Sequence, residues 1–185
     1  FIDVSYILNG NLPSNTSKLL IERKYSSGKF ILLDNLPDNL KKLKLTYIDE
    51  KLSSLPFSLE VLELIGTINN ELDYLPEGLK TLVLCTYNKE LSNLPVGLEN
   101  LFLMREYYGN LCNLPHGLKF IHLYAPSYIP NIKLPKNIQH VNFNEDNNKL
   151  RRMFMKLYPK VIYNNNYYRS RIDRYDDSYS DASYL

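Results

Sequence analysis

LPEGLKTLVLCTYNKELSNLPVGLENLFL, running from Leu75 to Leu103, states one pattern twice. Leu75-Pro76 is followed by Leu79, Leu82 and Leu84. Nineteen residues later Leu94-Pro95 is followed by Leu98, Leu101 and Leu103. The same pattern extends outward in both directions. Leu-Pro pairs begin at Leu12, Leu36, Leu55, Leu75, Leu94, Leu114 and Leu134, spaced by 24, 19, 20, 19, 20 and 20 residues. Counted from each of these leucines, offset +7 reads Leu19, Leu43, Leu62, Leu82, Leu101, Ile121, Val141. Offset +9 reads Ile21, Leu45, Leu64, Leu84, Leu103, Leu123, Phe143. Offset +4 is Thr16 and then apolar from Leu40 to Ile138, and offset −3 is leucine in Leu33, Leu52, Leu72, Leu91 and Leu111. A period fixed near twenty residues predicts a solenoid.

The offsets also predict the shape of one repeat. Apolar residues at +7 and +9 alternate with other types, as in a strand with one face buried. Proline fixes its own φ and biases the preceding leucine toward extended backbone. Pro76-Glu77-Gly78, Pro95-Val96-Gly97 and Pro115-His116-Gly117 predict a type I turn with Pro second and Gly fourth. Asn39, Ser58 and Asn137 take the Gly place in other repeats. Each repeat is then turn, short strand and loop, with too little chain left for a regular helix. The expectation is one curved parallel sheet on the concave side and an extended or 3₁₀ convex side. A single repeat cannot offset the entropy of ordering it, at about 1–2 kcal/mol per residue, so stability must come from stacking.

These LxxLxL cores, such as Leu79-Lys80-Thr81-Leu82-Val83-Leu84, resemble the leucine-rich repeat family. The short Leu-Pro-headed form is most similar to LPxxLxxLxL repeats of bacterial secreted effectors and of proteins encoded by amoebae and giant DNA viruses. The resemblance covers Leu12 to Phe143 and implies a binding scaffold. It further implies that such a scaffold can be the substrate-reading part of a larger adaptor, ubiquitin-ligase adaptors among them. One feature departs from the family. The usual asparagine three residues past the last core leucine is replaced by Ile48, Thr67, Tyr87, Glu106 and Pro126.

Domain organisation follows from where the pattern starts and stops. Residues 1–11 alternate Ile2, Val4 and Tyr6 and are expected to be a truncated N-terminal repeat. Residues 12–143 hold seven repeats, the first lengthened by a turn at Tyr25-Ser26-Ser27-Gly28. The sixth carries a loop stiffened by Pro126 and Pro130. Residues 144–163 predict a C-terminal helix–strand cap. Asn147 or Asn148 caps a helix whose apolar face is Leu150, Met153, Phe154 and Leu157, Pro159 ends it, and Val161-Ile162-Tyr163 follows as a strand. Residues 164–185 are polar and tyrosine-rich, and are expected to be a mobile tail.

Composition narrows the function classes. A formal net charge of +2 in 185 residues argues against bulk attraction to nucleic acid. No apolar run reaches the roughly twenty residues of a membrane span, and the start FIDVSYILNG does not read as a signal peptide. Two cysteines, Cys85 and Cys112, are too few for a disulfide framework and are expected to be free thiols in a reducing, cytoplasmic compartment, the host cytoplasm if the source is viral. Neither a phosphate-cradling glycine loop nor a nucleophile motif is present. His122 and His140 lie on neighbouring repeats, but no cysteine or carboxylate joins them at ligand spacing, so no metal or other cofactor is expected.

The function is therefore sought on a surface. Offsets +6, +8 and +10 point away from the leucine layers, toward the concave side. The first two rows, Lys18-Leu20-Glu22 and Lys42-Lys44-Thr46, are basic and polar. The middle rows bring together Val61, Ile65, Val83, Cys85, Phe102, Met104, Phe120, His122 and Tyr124. An exposed apolar patch with aromatics and Met at its centre and a polar rim predicts a protein partner. Two further readings accompany it. The chain could cover the patch itself with its tyrosine-rich tail. Alternatively, Lys149, Arg151, Arg152, Lys156 and Lys160, with Arg169, Arg171 and Arg174 beyond, could bind nucleic acid or an acidic surface, although neighbouring aspartates dilute that charge. The sequence reading is a non-enzymatic interaction module.

Overall fold

The computed structural model describes residues 12–21, 36–46, 52, 54–105, 107–124, 131–143 and 148–164. Eight strands and one helix occur among them. They are β1 (Lys18–Ile21), β2 (Lys42–Thr46), β3 (Val61–Thr67), β4 (Thr81–Thr86), β5 (Asn100–Leu103), β6 (Phe120–Leu123), β7 (His140–Phe143), α1 (Asn148–Leu157) and β8 (Ile162–Asn164). The strands form one sheet in the order β1 to β8, with parallel pairing throughout. The result is a β-solenoid of about six turns.

Register follows the repeat frame. Lys18, Lys42, Val61, Thr81, Asn100, Phe120 and His140, all at offset +6, are successive partners. The +4, +7 and +9 positions then stack into ladders, with Leu40, Leu43, Leu59, Leu62, Leu79, Leu82, Leu98 and Leu101 each at 0% exposure. Strand alternation sends +7 and +9 into the core, so a one-residue slip would turn the whole ladder outward.

The turn chemistry differs from the sequence expectation. In all seven repeats the carbonyl of the proline accepts the N–H three residues on, from the Thr16 N–H on the Pro13 carbonyl at 2.9 Å to the Ile138 N–H on that of Pro135 at 3.2 Å. Proline is thus the first residue of the turn and glycine the third. Closing the turn on the +4 N–H draws that side chain inward, which the predicted placement does not do. Glycine serves close stacking of turns here: a Cβ on Gly117 would lie 2.7 Å from the Val96 carbonyl oxygen, and one on Gly78 2.9 Å from that of Phe57. Two of the residues that take this place bond to the turn before them. Ser58 Oγ donates to the Leu40 carbonyl at 2.8 Å and Asn137 Nδ2 to that of His116 at 3.1 Å.

Repeats of 19 and 20 residues stack because the extra residue is absorbed after the strand. Between β3 and β4 the register shifts between Leu64 and Thr67, where Gly66 takes a φ of 97°. The convex side, among the described residues, consists of turns and extended segments with one parallel bridge, Leu111 to Ile132, and no 3₁₀ helix. Tyr87 and Tyr107 turn inward there, each 2% exposed. Their hydroxyls donate to the carbonyls of Glu90 at 3.3 Å and Lys89 at 3.1 Å. They fill volume in the core, and burial pushes both phenols above their ordinary pKa.

The cap closes the last layer, with a correction to its expected face. Leu150 and Phe154 are buried, but Met153 and Leu157 are 40% and 61% exposed. Tyr158 supplies the missing contact: it packs against the core, its ring lies 5.9 Å from Phe154, and its hydroxyl accepts the Leu134 N–H at 3.2 Å. In β8, Tyr163 stacks on Phe143 at 6.2 Å, and its hydroxyl sits 2.9 Å from the carbonyls of both Phe154 and Tyr158. Both carbonyls, at and just past the helix end, also accept a backbone N–H, that of Tyr158 on Phe154 at 2.8 Å and that of Val161 on Tyr158 at 3.2 Å. Residues 1–11, the Tyr25–Gly28 turn, the Pro126–Pro130 loop and the tail beyond Asn164 lie outside the described residues.

A candidate binding face

Alternation that buries +7 and +9 leaves +6 and +8 on the opposite face of the sheet, the one the sequence reading expects to be concave. Three rows cross that face. The first holds Lys18, Lys42, Val61, Thr81, Asn100, Phe120 and His140. The middle row holds Leu20, Lys44, Glu63, Val83, Phe102, His122 and Asn142. The third, at +10, begins at Thr46 and Ile65 and continues through Cys85, Met104 and Tyr124. The Met104 N–H bonds to the Leu84 carbonyl at 2.9 Å, and the Tyr124 N–H bonds to that of Leu103 at 2.8 Å.

The sequence placed Val61, Ile65, Val83, Phe102, Met104, Phe120, His122 and Tyr124 together, and they do share this face. Their exposure is the correction. Val83, Phe102 and His122 are buried, at 7%, 4% and 7%. Val61, Ile65, Met104 and Phe120 are half-buried, and Tyr124 stands 42% exposed. Each buried residue lies in the middle row, where neighbours crowd it from both strands beside it and from both flanking rows. Val83 and Phe102 nevertheless do not join the leucine core. They belong to a second cluster on the other side of the sheet.

Aromatic contacts organise that cluster. Phe102 lies 5.0 Å from Phe120 and 6.3 Å from His122, and Phe120 lies 6.5 Å from His140. The run crosses β5, β6 and β7 diagonally. At its end two buried polar atoms, His122 Nδ1 and Asn142 Oδ1, have no hydrogen-bond partner among the described residues. These two residues are direct partners in the β6–β7 register. Burial lowers the His122 pKa from 6.5 to about 4, so the ring is neutral at pH 7.

The other end of the face is polar. Glu63 pairs with Lys42 and, at 3.8 Å, with Lys44, so the basic rows of the sequence reading are partly neutralised from the next strand. Asn100 Nδ2 donates to Thr81 Oγ1 at 3.1 Å. Outside this face, position +5 carries Lys41, Glu60, Lys80, Glu99 and Lys119, an alternating series the sequence reading overlooked. Ion pairs link Lys41 to Glu60 at 2.8 Å, Lys80 to Glu99 at 4.0 Å and Glu99 to Lys119 at 2.9 Å. The Lys119 ammonium, by hydrogen bond and by charge, holds the Glu99 carboxyl below its usual range. Listing the residues at +5 in order would have found this ladder.

The remaining candidates add little chemistry. Cys85 is half-buried on the concave face and Cys112 exposed in a convex loop, both as free thiols. Among the described residues no group of three or more His, Cys, Asp or Glu could hold a metal ion. Arg152, Lys156 and Lys160 are exposed on and after α1, while Arg169, Arg171 and Arg174 lie outside the described residues. No helix among the described residues is long and apolar enough to cross a membrane.

Comparison with known proteins returns no match. No family model fits the chain, and neither a curated protein nor a solved structure is significantly similar to it.

Proposed function

We propose that the chain is a leucine-rich-repeat scaffold that binds another protein on its concave face, without catalysis. One observation carries the reading: Val83, Phe102, Phe120 and His122 form an apolar, aromatic cluster on a sheet face that the folding core does not use. Cross-strand pairing stabilises such aromatics in part, and the surface they leave open is of the kind that a partner buries. Interface centres are enriched in aromatics and Met, and Met104 and Tyr124 stand beside the cluster with part of their surface open. The half-buried Val61 and Ile65 extend it toward the charged rows, which supply the polar rim. A role as the substrate-reading part of a larger adaptor, in a cytoplasmic setting, fits the repeat type.

The test is selection of binders from a library of random twenty-residue peptides, followed by affinity measurement on variants. Phe120→Ala and Tyr124→Ala should each weaken a selected peptide by about 2 kcal/mol, roughly thirtyfold, with the melting temperature little changed. The matched control is Lys41→Ala, on the outer charge ladder. Lys42 and Lys44 do not suit that purpose, because removing them leaves Glu63 unpaired. Failure to select any binder, or binders indifferent to both changes, would remove this reading.

A further inference from the structure

Burial along the middle row of this face differs between its two halves. Leu20, Lys44 and Glu63 are half-buried on β1 to β3. Val83, Phe102 and His122 follow at 7%, 4% and 7%, and Asn142, on the penultimate strand, is 1% exposed. His122 Nδ1 and Asn142 Oδ1 are buried there without a partner among the described residues, whereas an open sheet face would leave such atoms to water. The tightest burial is that of Asn142, beside Asn164, the last residue of β8. Twenty-one residues of sequence follow that point.

Their chemistry matches the rows they would meet. Tyr167 and Tyr168 come first, then Arg169, Arg171, Asp173, Arg174 and Tyr175, and beyond Tyr175 every charged side chain is acidic: Asp176, Asp177 and Asp181. At about 3.3 Å per extended residue, Tyr168 reaches some 13 Å from Asn164. That spans the roughly 10 Å from β8 to Phe120 on β6. Asp176 reaches about 40 Å, beyond the roughly 29 Å to β2, where Lys42 and Lys44 outnumber Glu63. Tyrosines over the aromatic run and aspartates over the lysines is one continuous path.

We propose that residues 165–185 dock along the concave middle row as an intramolecular occupant, which an external partner displaces. The displacement step rests on the proposed function; the docking itself does not. The partner then shares the tail's chemistry, an extended segment with tyrosines ahead of acidic residues.

Cys85 reports on the face from the third row of β4, and Cys112 is a control on the convex side. The experiment measures alkylation rates of both thiols by mass spectrometry in the full chain and in Tyr167→Ser/Tyr168→Ser/Tyr175→Ser. The expected result is a rise of about tenfold at Cys85, as when a site occupied nine-tenths of the time is emptied, with Cys112 unchanged. Replacing the same tyrosines by Phe should keep the protection, and Asp176→Lys/Asp177→Lys should lose it. An unchanged Cys85 rate in the Ser variant at an unchanged melting temperature overturns the proposal. So does protection in the native chain that fades on dilution, which makes the occupant a second copy. If these variants unmask Cys85 while no peptide binder is ever selected, the tail docks and the partner reading alone falls.

Discussion

The ring of Phe102 lies 5.0 Å from that of Phe120, tilted by 36°, as diagonal neighbours on β5 and β6. Phe120 keeps part of its surface open and Phe102 does not. Their substitutions should therefore separate. Phe102→Asp places a carboxylate in a buried site and should cost about 3 kcal/mol or more, whereas Phe120→Ala should cost less than half of that. Denaturant unfolding of the two single variants checks the order, and equal losses would mean that the middle row is not distinct from its flank.

On the other face of the sheet, Leu82 is 0% exposed in the centre of the +7 ladder. Leu82→Ala should lower stability by about 2–5 kcal/mol, the range for emptying a packed leucine site. A midpoint unchanged within error is incompatible with the register.

Two glycines at the same repeat position should respond differently. A Cβ at Gly117 meets the Val96 carbonyl oxygen at 2.7 Å, a backbone atom that cannot swing aside. At Gly97 the nearest atom is Lys80 Nζ, at 3.3 Å, on a flexible side chain. Gly117→Ala should cost about 1–3 kcal/mol and Gly97→Ala markedly less, as read by paired thermal melts.

His122 gives the chain a pH dependence. Its folded pKa of about 4 lies below the unfolded 6.5, so the unfolded state takes up the proton first. Its stabilising contribution is complete above pH 6.5 and is lost as pH falls toward 4, with a total of roughly 3 kcal/mol. His122→Gln should flatten the stability curve across that window. A curve identical to that of the native chain would show the ring to be solvated.

How much of this was legible in the sequence varies by level. The strand register follows directly from offset +6, because parallel stacking of equal repeats leaves one way to align Leu62, Leu82 and Leu101. The side of the sheet on which Phe102 and His122 sit also followed, from alternation. Their burial did not: alternation tells which way a side chain points and carries no information on what lies over it. The turn was misplaced by one residue because Leu-Pro-x-Gly satisfies the type I preferences, while the hydrogen bond from the +4 N–H to the proline carbonyl depends on packing that leucine. In the cap, Leu157 has the right spacing, but Tyr158 takes its place through a hydroxyl contact to Leu134 that helical periodicity cannot register. Tyr87 stands where the resembling family carries asparagine and Tyr107 one place further on, so neither falls at an apolar offset of the repeat.

The central claim is that the concave face is the binding surface, and thiol footprinting with a bound peptide tests it most directly. Cys85 lies on that face and Cys112 in a convex loop. A saturating selected peptide should slow alkylation of Cys85 and leave that of Cys112 unchanged. Protection of Cys112 with Cys85 unaffected would place the binding surface on the convex loops and contradict the account.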